Sequence, residues 1–273
     1  MAFAGRPASE GGEPMSGLRL RALGFCGADD SCSPELLSAV SERYLWIEWG
    51  VLFREDKQGT PRYASLDWVE RLAAVNYRRR MRLAGHLCSQ YVTQILEGDG
   101  SFVADMHRRV GFDRFQINAT AANNVDTSSL GPETAERLRE VMLSLPSVEF
   151  IVQRNEETAE LWRHLERDPP PNLSFLFDES KGLGVAAAFW PPPPTTGVKF
   201  GYAGGLGPKN LKAQITKMAV AAPGETIWVD MESSLRTALE DGADIFDLNK
   251  CMSCVLQVLA LGLQEVRPAS CRL

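Results

Sequence analysis

Eight polar side chains close apolar runs of the chain: Cys26, His86 with Cys88, Gln116 with Asn118, Gln153, Asp178 and Asp230. A thiol and carboxyl groups are the parts of a proton-transfer pair. To serve as base and acid near neutrality, a cysteine starting at about 8.5 and an aspartate at about 3.9 must shift towards each other. Singly, each residue has an ordinary role: Gln116 or Asn118 as a hydrogen-bonded strand residue, His86 as a satisfied core histidine, Cys26 as a small buried apolar group. Together they point to a site, because each unpaired buried polar group costs about 1–3 kcal/mol. His86 and Cys88, two apart on a strand, share a face and could meet Asp178 or Asp230 at one ion. Spacing does not establish ligands from separate strands, and the reading is a site without metal.

The apolar runs that end in these residues fall at 18–26, 44–53, 81–88, 113–118, 148–153, 173–178, 198–203 and 226–231. They are short and rich in β-branched and aromatic residues, which predicts eight strands. Amphipathic stretches with i, i+3, i+4 apolar spacing lie between them: Pro34–Arg43, Leu66–Tyr77, Pro132–Ser144, Glu156–Glu166, Pro208–Val220 and Ile245–Leu261. Pro34, Pro132 and Pro208 stand where a first helical turn tolerates proline. Nearly continuous apolar strands alternating with helices predict an α/β fold with a parallel sheet, and eight units close into a single (β/α)8 TIM barrel. The open, doubly wound sheet is the alternative, but no GxGxxG follows the first strand. In such a barrel the active site lies at the C-terminal strand ends, where the eight polar residues stand.

The chain has 273 residues, 44% hydrophobic and 23% charged, with a formal net charge of −6. This balance excludes a phosphate-tracking nucleic-acid binder, which carries a basic stripe. Arg78, Arg79, Arg80 and Arg82 are read as a solvated helix-to-strand junction. No apolar run approaches the length of a membrane span and no signal core is present, so no membrane partner and a cytoplasmic location are expected, as a monomer or homodimer. The six cysteines are too irregular for a disulfide scaffold; Cys251 and Cys254 lie in an apolar helical pattern and are read as buried helix thiols. Residues 1–17, rich in Gly, Pro, Ser and Glu, are expected as a flexible leader, with the barrel over 18–273. Pro191–Pro194 reads as an extended spacer.

Several segments resemble, in order, phosphoribosylanthranilate isomerase, a (β/α)8 barrel enzyme. Phe25-Cys26-Gly27 is similar to that family's ICG, and Trp49–Phe53 with Pro61-Arg62-Tyr63-Ala64-Ser65 to its GFVF and SPRYVS. Phe115–Asn118 stands where the family has VQLH, and Leu176-Phe177-Asp178, followed by Gly182 and Gly184, where it has LLD and a glycine-rich loop. Ala203–Asn210 resembles AGGLNPEN, and Val229–Ser234 replaces VDVSSG. The resemblance implies an Amadori rearrangement of a phosphorylated ribosylamine, with Cys26 as base and Asp178 as acid. It implies that Arg62 holds a substrate carboxylate, that Asp230 contacts sugar hydroxyls, with Gln116 and His86 beside them, and that Gly204, Gly205, Ser233 and Ser234 bind phosphate. The partner is then a small phosphorylated sugar derivative, with no cofactor. The Gly204-Gly205 turn opening a helix at Pro208 reads equally as an anion site or as a tight turn.

Departures bear on this. Glu232 stands in the phosphate loop, where a carboxylate repels phosphate, and His86, Cys88 and Glu48 replace apolar strand residues. Two further readings therefore stand beside the isomerase: a barrel enzyme of changed substrate class, with a different and unphosphorylated ligand, or a non-catalytic relative that binds a ligand or partner. The orientation of Glu232, into the loop or away from it, separates them.

Overall fold

The structure, a computed structural model, describes residues 17–178 and 189–265. The leader expected over 1–17, except Gly17, lies outside the described residues, as do Gly182, Gly184 and Cys271. In chain order the first elements are β1 (Arg19–Cys26), α1 (Pro34–Arg43), β2 (Ile47–Phe53), α2 (Leu66–Val75), β3 (Arg82–Leu87), α3 (Gln90–Leu96), α4 (Ser101–Arg109) and β4 (Arg114–Ile117). Then come α5 (Pro132–Ser144), β5 (Glu149–Arg154), α6 (Ala159–Arg167), β6 (Leu173–Phe177), β7 (Lys199–Tyr202), α7 (Leu211–Ala221) and β8 (Thr226–Met231). A hairpin of β9 (Arg236–Ala238) and β10 (Asp244–Phe246), then α8 (Leu248–Leu261) and β11 (Gln264–Glu265), complete the described chain. Each of β1 to β8 pairs in parallel with the next, and β8 returns to β1 from Thr226↔Arg19 to Met231↔Phe25. The sheet is therefore a closed barrel, the (β/α)8 fold that the alternation predicts.

Closure gives each strand two faces with different tasks. Leu23 and Phe25, Trp49 and Phe53, Phe115 and Ile117, and Phe150 and Val152 point outwards into one apolar layer beneath the helices. Ala22, Ile151, Leu176, Ala203 and Trp228 form a separate, smaller cluster in the lumen. The helices begin where the sequence supplies caps: Ser33 accepts from the Leu36 amide before Pro34, Ser65 from Trp68, and Asp247 from Asn249.

Several elements differ from expectation. The β3–β4 connection holds two short helices where none was predicted, separated by Gly98, whose φ is +99°. Pro208 is not in a helical first turn: Asn210 accepts from the Gly207 amide and donates to the Gly205 carbonyl, so the turn persists and α7 starts at Leu211. Ile245 pairs with Thr237 in the hairpin, so the last long helix begins at Leu248. Among the described residues no helix joins β6 to β7; Pro191 accepts the Tyr202 hydroxyl at 2.6 Å, pinning the proline run. Arg78, Arg79 and Arg80 are exposed as expected, but Arg82 turns to donate to the Arg21 carbonyl at 2.6 Å. Cys251 and Cys254 are buried free thiols on α8.

The base of the lumen is charged. Arg114 on β4 pairs with Glu48 on β2 at 2.6 Å and with Glu149 on β5 at 3.0 Å, while its guanidinium lies 4.4 Å from the Trp228 ring centroid. Glu149 also meets Arg21 at 2.5 Å, Lys199 at 3.0 Å and the Ser174 hydroxyl at 2.8 Å. Burial favours the protonated acid, but Arg114 and Arg21 outweigh it and hold the Glu149 carboxyl well below the usual range. Removing one member strands the others, since an uncompensated buried charge costs about 3–5 kcal/mol. Arg114→Met is therefore expected to lose roughly that amount in urea denaturation; a loss under about 1 kcal/mol would show that Glu48 and Glu149 find other compensation.

Candidate functional site

Above this base, at the C-terminal strand ends, lies a cavity of about 200 Å³. His86 from β3, Gln116 from β4 and Asn118 just after it, Gln153 from β5, Asp178 following β6 and Asp230 from β8 all line it. They converge because side chains at i and i+2 of each strand share the lumen face, and because neighbouring glycines make room. A β-carbon on Gly50 would lie 2.8 Å from His86 Nε2 and 3.0 Å from Cys26 Cβ, so the ring fits only across a glycine. Gly24 does the same for Asp230, whose carboxylate occupies the space a side chain there would need.

Cys26 and Cys88 are near this cavity but not on its wall. Cys26 is 1% exposed and packs with Leu52, Cys88 and Tyr63. Burial, then the charges of Glu232 and Asp230, push its thiol well above the ordinary range. These surroundings favour the neutral thiol over the thiolate that the resemblance implies for Cys26. Cys88 is pushed up to about 12, also by burial, and accepts from Asn118 Nδ2 at 3.5 Å. Asn118 Oδ1 in turn accepts from Gln116 Nε2 at 2.7 Å, so the two amides form a chain that ends on sulfur.

Three carboxylates share the wall. Asp178 accepts from Gln153 Nε2 at 3.1 Å. Burial raises the Asp230 carboxyl well above its ordinary value, and repulsion from Glu48 and Glu232 adds to the effect. Glu232 turns into the cavity between Met231 and Ser233. Burial raises its carboxyl, and Arg62 and then Arg236 restrain the rise. Arg62, also on the wall, is spent within the protein: it lies 3.3 Å from Glu232 and 3.6 Å from Asp244. Its backbone, at φ +79°, is held by an N–H donated to Asp29 at 2.7 Å, and Asp29 pairs with buried Arg236 at 2.7 Å.

The expected phosphate residues Gly204, Gly205, Ser233 and Ser234 all line the cavity. Their surroundings differ from an open cradle. Ser234 donates its hydroxyl to the Leu206 carbonyl, and α7 starts six residues after Gly205, so no helix N-terminus opens on the glycine turn. The glycines, with φ of +104° and +60°, make a tight turn there. Tyr63 and Asn123 also line the cavity; both come from loops, where periodicity carries no signal. Among the described residues no group of three or more His, Cys, Asp or Glu side chains is arranged to hold a metal ion, and no helix is long and apolar enough to cross a membrane.

No family model matches the chain, and no curated protein matches it. Solved barrels do. Phosphoribosyl anthranilate isomerase from Thermococcus kodakaraensis aligns at 13% identity over 87% of this chain and 98% of its own, with a TM-score of 0.46. A truncated 3-deoxy-D-arabino-heptulosonate 7-phosphate synthase from Thermotoga maritima aligns at 11% over 92% and 90%, TM-score 0.48. The 3-hexulose-6-phosphate synthase from Salmonella typhimurium aligns at 13% over 89% and 99%, TM-score 0.46.

His86 gives this site a pH signature. Burial lowers its pKa from 6.5 to about 4, so the folded ring stays neutral where the unfolded one takes up a proton. The stability of the neutral ring is complete above pH 6.5 and is lost as the pH falls from 6.5 towards 4. Asp230, with its raised carboxyl, acts in the opposite sense, so the comparison is between the wild type and His86→Gln. Between pH 7 and pH 5 the wild type is expected to lose about 2 kcal/mol more than the variant in urea denaturation. Equal losses would mean that His86 is protonated in the folded protein.

Proposed function

We propose that this chain is a barrel enzyme of changed substrate class, performing aldose–ketose-type proton transfer on a small, hydroxyl-rich, unphosphorylated ligand. The observation that carries the reading is Glu232: it faces the cavity beside Ser233 and Ser234 and pairs with Arg62. A phosphate dianion entering there would meet a carboxylate, an arginine already neutralised, and a Ser234 hydroxyl already donated. A sugar or polyol meets a wall of hydrogen-bond acceptors suited to its hydroxyl groups.

An aldose–ketose shift requires one group to give a proton to the sugar oxygen and another to take one from the adjacent carbon. Asp230, whose carboxyl is raised by burial and by Glu48 and Glu232, suits the donor. Asp178, oriented by Gln153, suits the acceptor. His86, neutral and packed over Gly50, positions the ligand through a ring N–H. Cys26 supports this floor from beneath. This pairing reassigns the base that the family resemblance gives to Cys26, and it makes Asp178 a proton acceptor where the resemblance makes it the acid.

Two measurements test the reading. In thermal-shift titration, ribitol is expected to raise the Tm of the wild type while inorganic phosphate does not, and Glu232→Ser is expected to gain a phosphate response. Stabilisation of the wild type by phosphate overturns the unphosphorylated class. In an assay of ketose formation from unphosphorylated aldoses, Asp178→Asn and Asp230→Asn are each expected to lower turnover by about 100-fold or more, and Cys26→Ala by less than about threefold. A Cys26→Ala loss as large as that of the aspartates would return the base to the thiol.

A further inference from the structure

A helix on the outside of a barrel buries one face and shows the other to water, and charged residues mark the second face. The outer helices of this barrel follow that rule, as with exposed Glu70 and Arg71 on α2 or Glu160 and Arg163 on α6. Helix α8 does not. Cys251, Cys254, Val255 and Val258 face the core, while on the other side Leu256 is 61% and Leu259 45% exposed, with Asn249 and Ala260 exposed beside them. The charged residue of this helix, Lys250, turns away to donate to the Arg236 carbonyl. Gln257 turns onto α7, where it donates to the Pro208 carbonyl at 2.7 Å and accepts from the Lys212 amide at 3.1 Å. A helix apolar on both faces is ordinarily an interior helix.

We propose that α8 is the interior helix of a homodimer, packed in parallel against α8 of a second copy about a two-fold axis that runs along it. Asn249, Met252, Leu256 and Leu259 recur at intervals of 3, 4 and 3. This alternation seats the side chains of one helix in the holes of another, and an asparagine in such a row fixes the register of a parallel pair. Charge selects a second copy as the occupant. Each chain carries a net charge of −6, so two copies meet best where like charges do not face each other, and the exposed positions of α8 carry none. The helix alone is too small: its 14 residues span about 21 Å, whereas a stable interface takes about 800 Å² from each partner. The helices beside it must therefore take part. Strand β8 lies between β7 and β1, which sets α7 and α1 on the two sides of α8. A two-fold axis along α8 places α7 of one copy opposite α1 of the other. The charges of α7 are Lys212 and Lys217, while α1 carries Glu35 and Glu42 against Arg43, so the facing flanks are opposite in sign. An antiparallel pair would set the α7 lysines against each other. Each flank also brings an exposed apolar side chain, Val220 at 80% and Leu36 at 56%.

Sedimentation velocity of the full chain at neutral pH, from about 1 to 100 μM, tests the proposal. The wild type is expected to sediment as a dimer, and Leu256→Glu as a folded monomer whose dissociation constant is raised by about 100-fold or more, because like charges then meet on the axis. In a parallel pair residue 256 faces its own counterpart. Leu256→Lys is therefore also expected to be a monomer, and an equimolar mixture of the two variants to recover the dimer. Leu143→Glu, at an exposed leucine of α5 on another wall, is expected to leave the dimer unchanged. If the variants at 256 do not fold, Leu259→Glu and Leu259→Lys supply the same comparison in the same row. A wild type that stays monomeric at the highest concentration overturns the proposal, and so does a dimer that persists in folded Leu256→Glu. Two monomeric variants that fail to recover the dimer on mixing overturn the parallel pairing.

Discussion

Arg114 is the side chain around which the lumen is arranged. Its guanidinium bridges carboxylates from two other strands and lies over the Trp228 ring, and Glu149 extends the network to Arg21, Lys199 and Ser174. Charges in a low-dielectric interior interact over longer distances than they do in water. Glu48 therefore not only neutralises the arginine but also contributes to raising the carboxyl of Asp230 above it. The base of the barrel sets part of the electrostatics at its mouth, and the arrangement holds because every member has a partner that burial would otherwise make costly to keep.

The second constraint is room. A closed eight-stranded barrel has space for its inward side chains and little else. Here His86, Asp230 and Trp228 each lie over a glycine of the adjacent strand, at Gly50, Gly24 and Gly201. Polar function at the mouth is thus bought with small residues one strand away. Cys26 itself stays off the cavity wall, packed with Leu52, Cys88 and Tyr63.

Much of this was legible in the residues. The eight apolar runs became eight strands within a few positions, because alternation in a parallel sheet buries both faces and the signal is strong. Polar residues at their ends, His86, Gln116, Asn118, Gln153, Asp178 and Asp230, do share one cavity. The helices of the β3–β4 connection were missed because glycines around Asp99 cut the periodic pattern into pieces of seven and nine residues. Arg114 and Glu149 were not read as lumen residues, since a charge near the start of a strand ordinarily faces solvent; only closure of the sheet, a long-range fact, brings them together. Pro208 and Ile245 misled for a local reason: an asparagine side chain and a hairpin partner outcompeted helix initiation there.

A closed barrel has one junction whose two strands are not joined by consecutive chain, the seam between β1 and β8. In this chain it is fastened from outside the sheet. At the mouth, the hairpin that follows β8 sends Arg236 back to Asp29 and to the Gly27 carbonyl, both just beyond β1. Breathing of the native state therefore has little reason to start where the cylinder was last zipped. Amide exchange at the mouth of this seam is expected to be as slow as in the rest of the barrel, so the last junction to close is a weld and not a hinge.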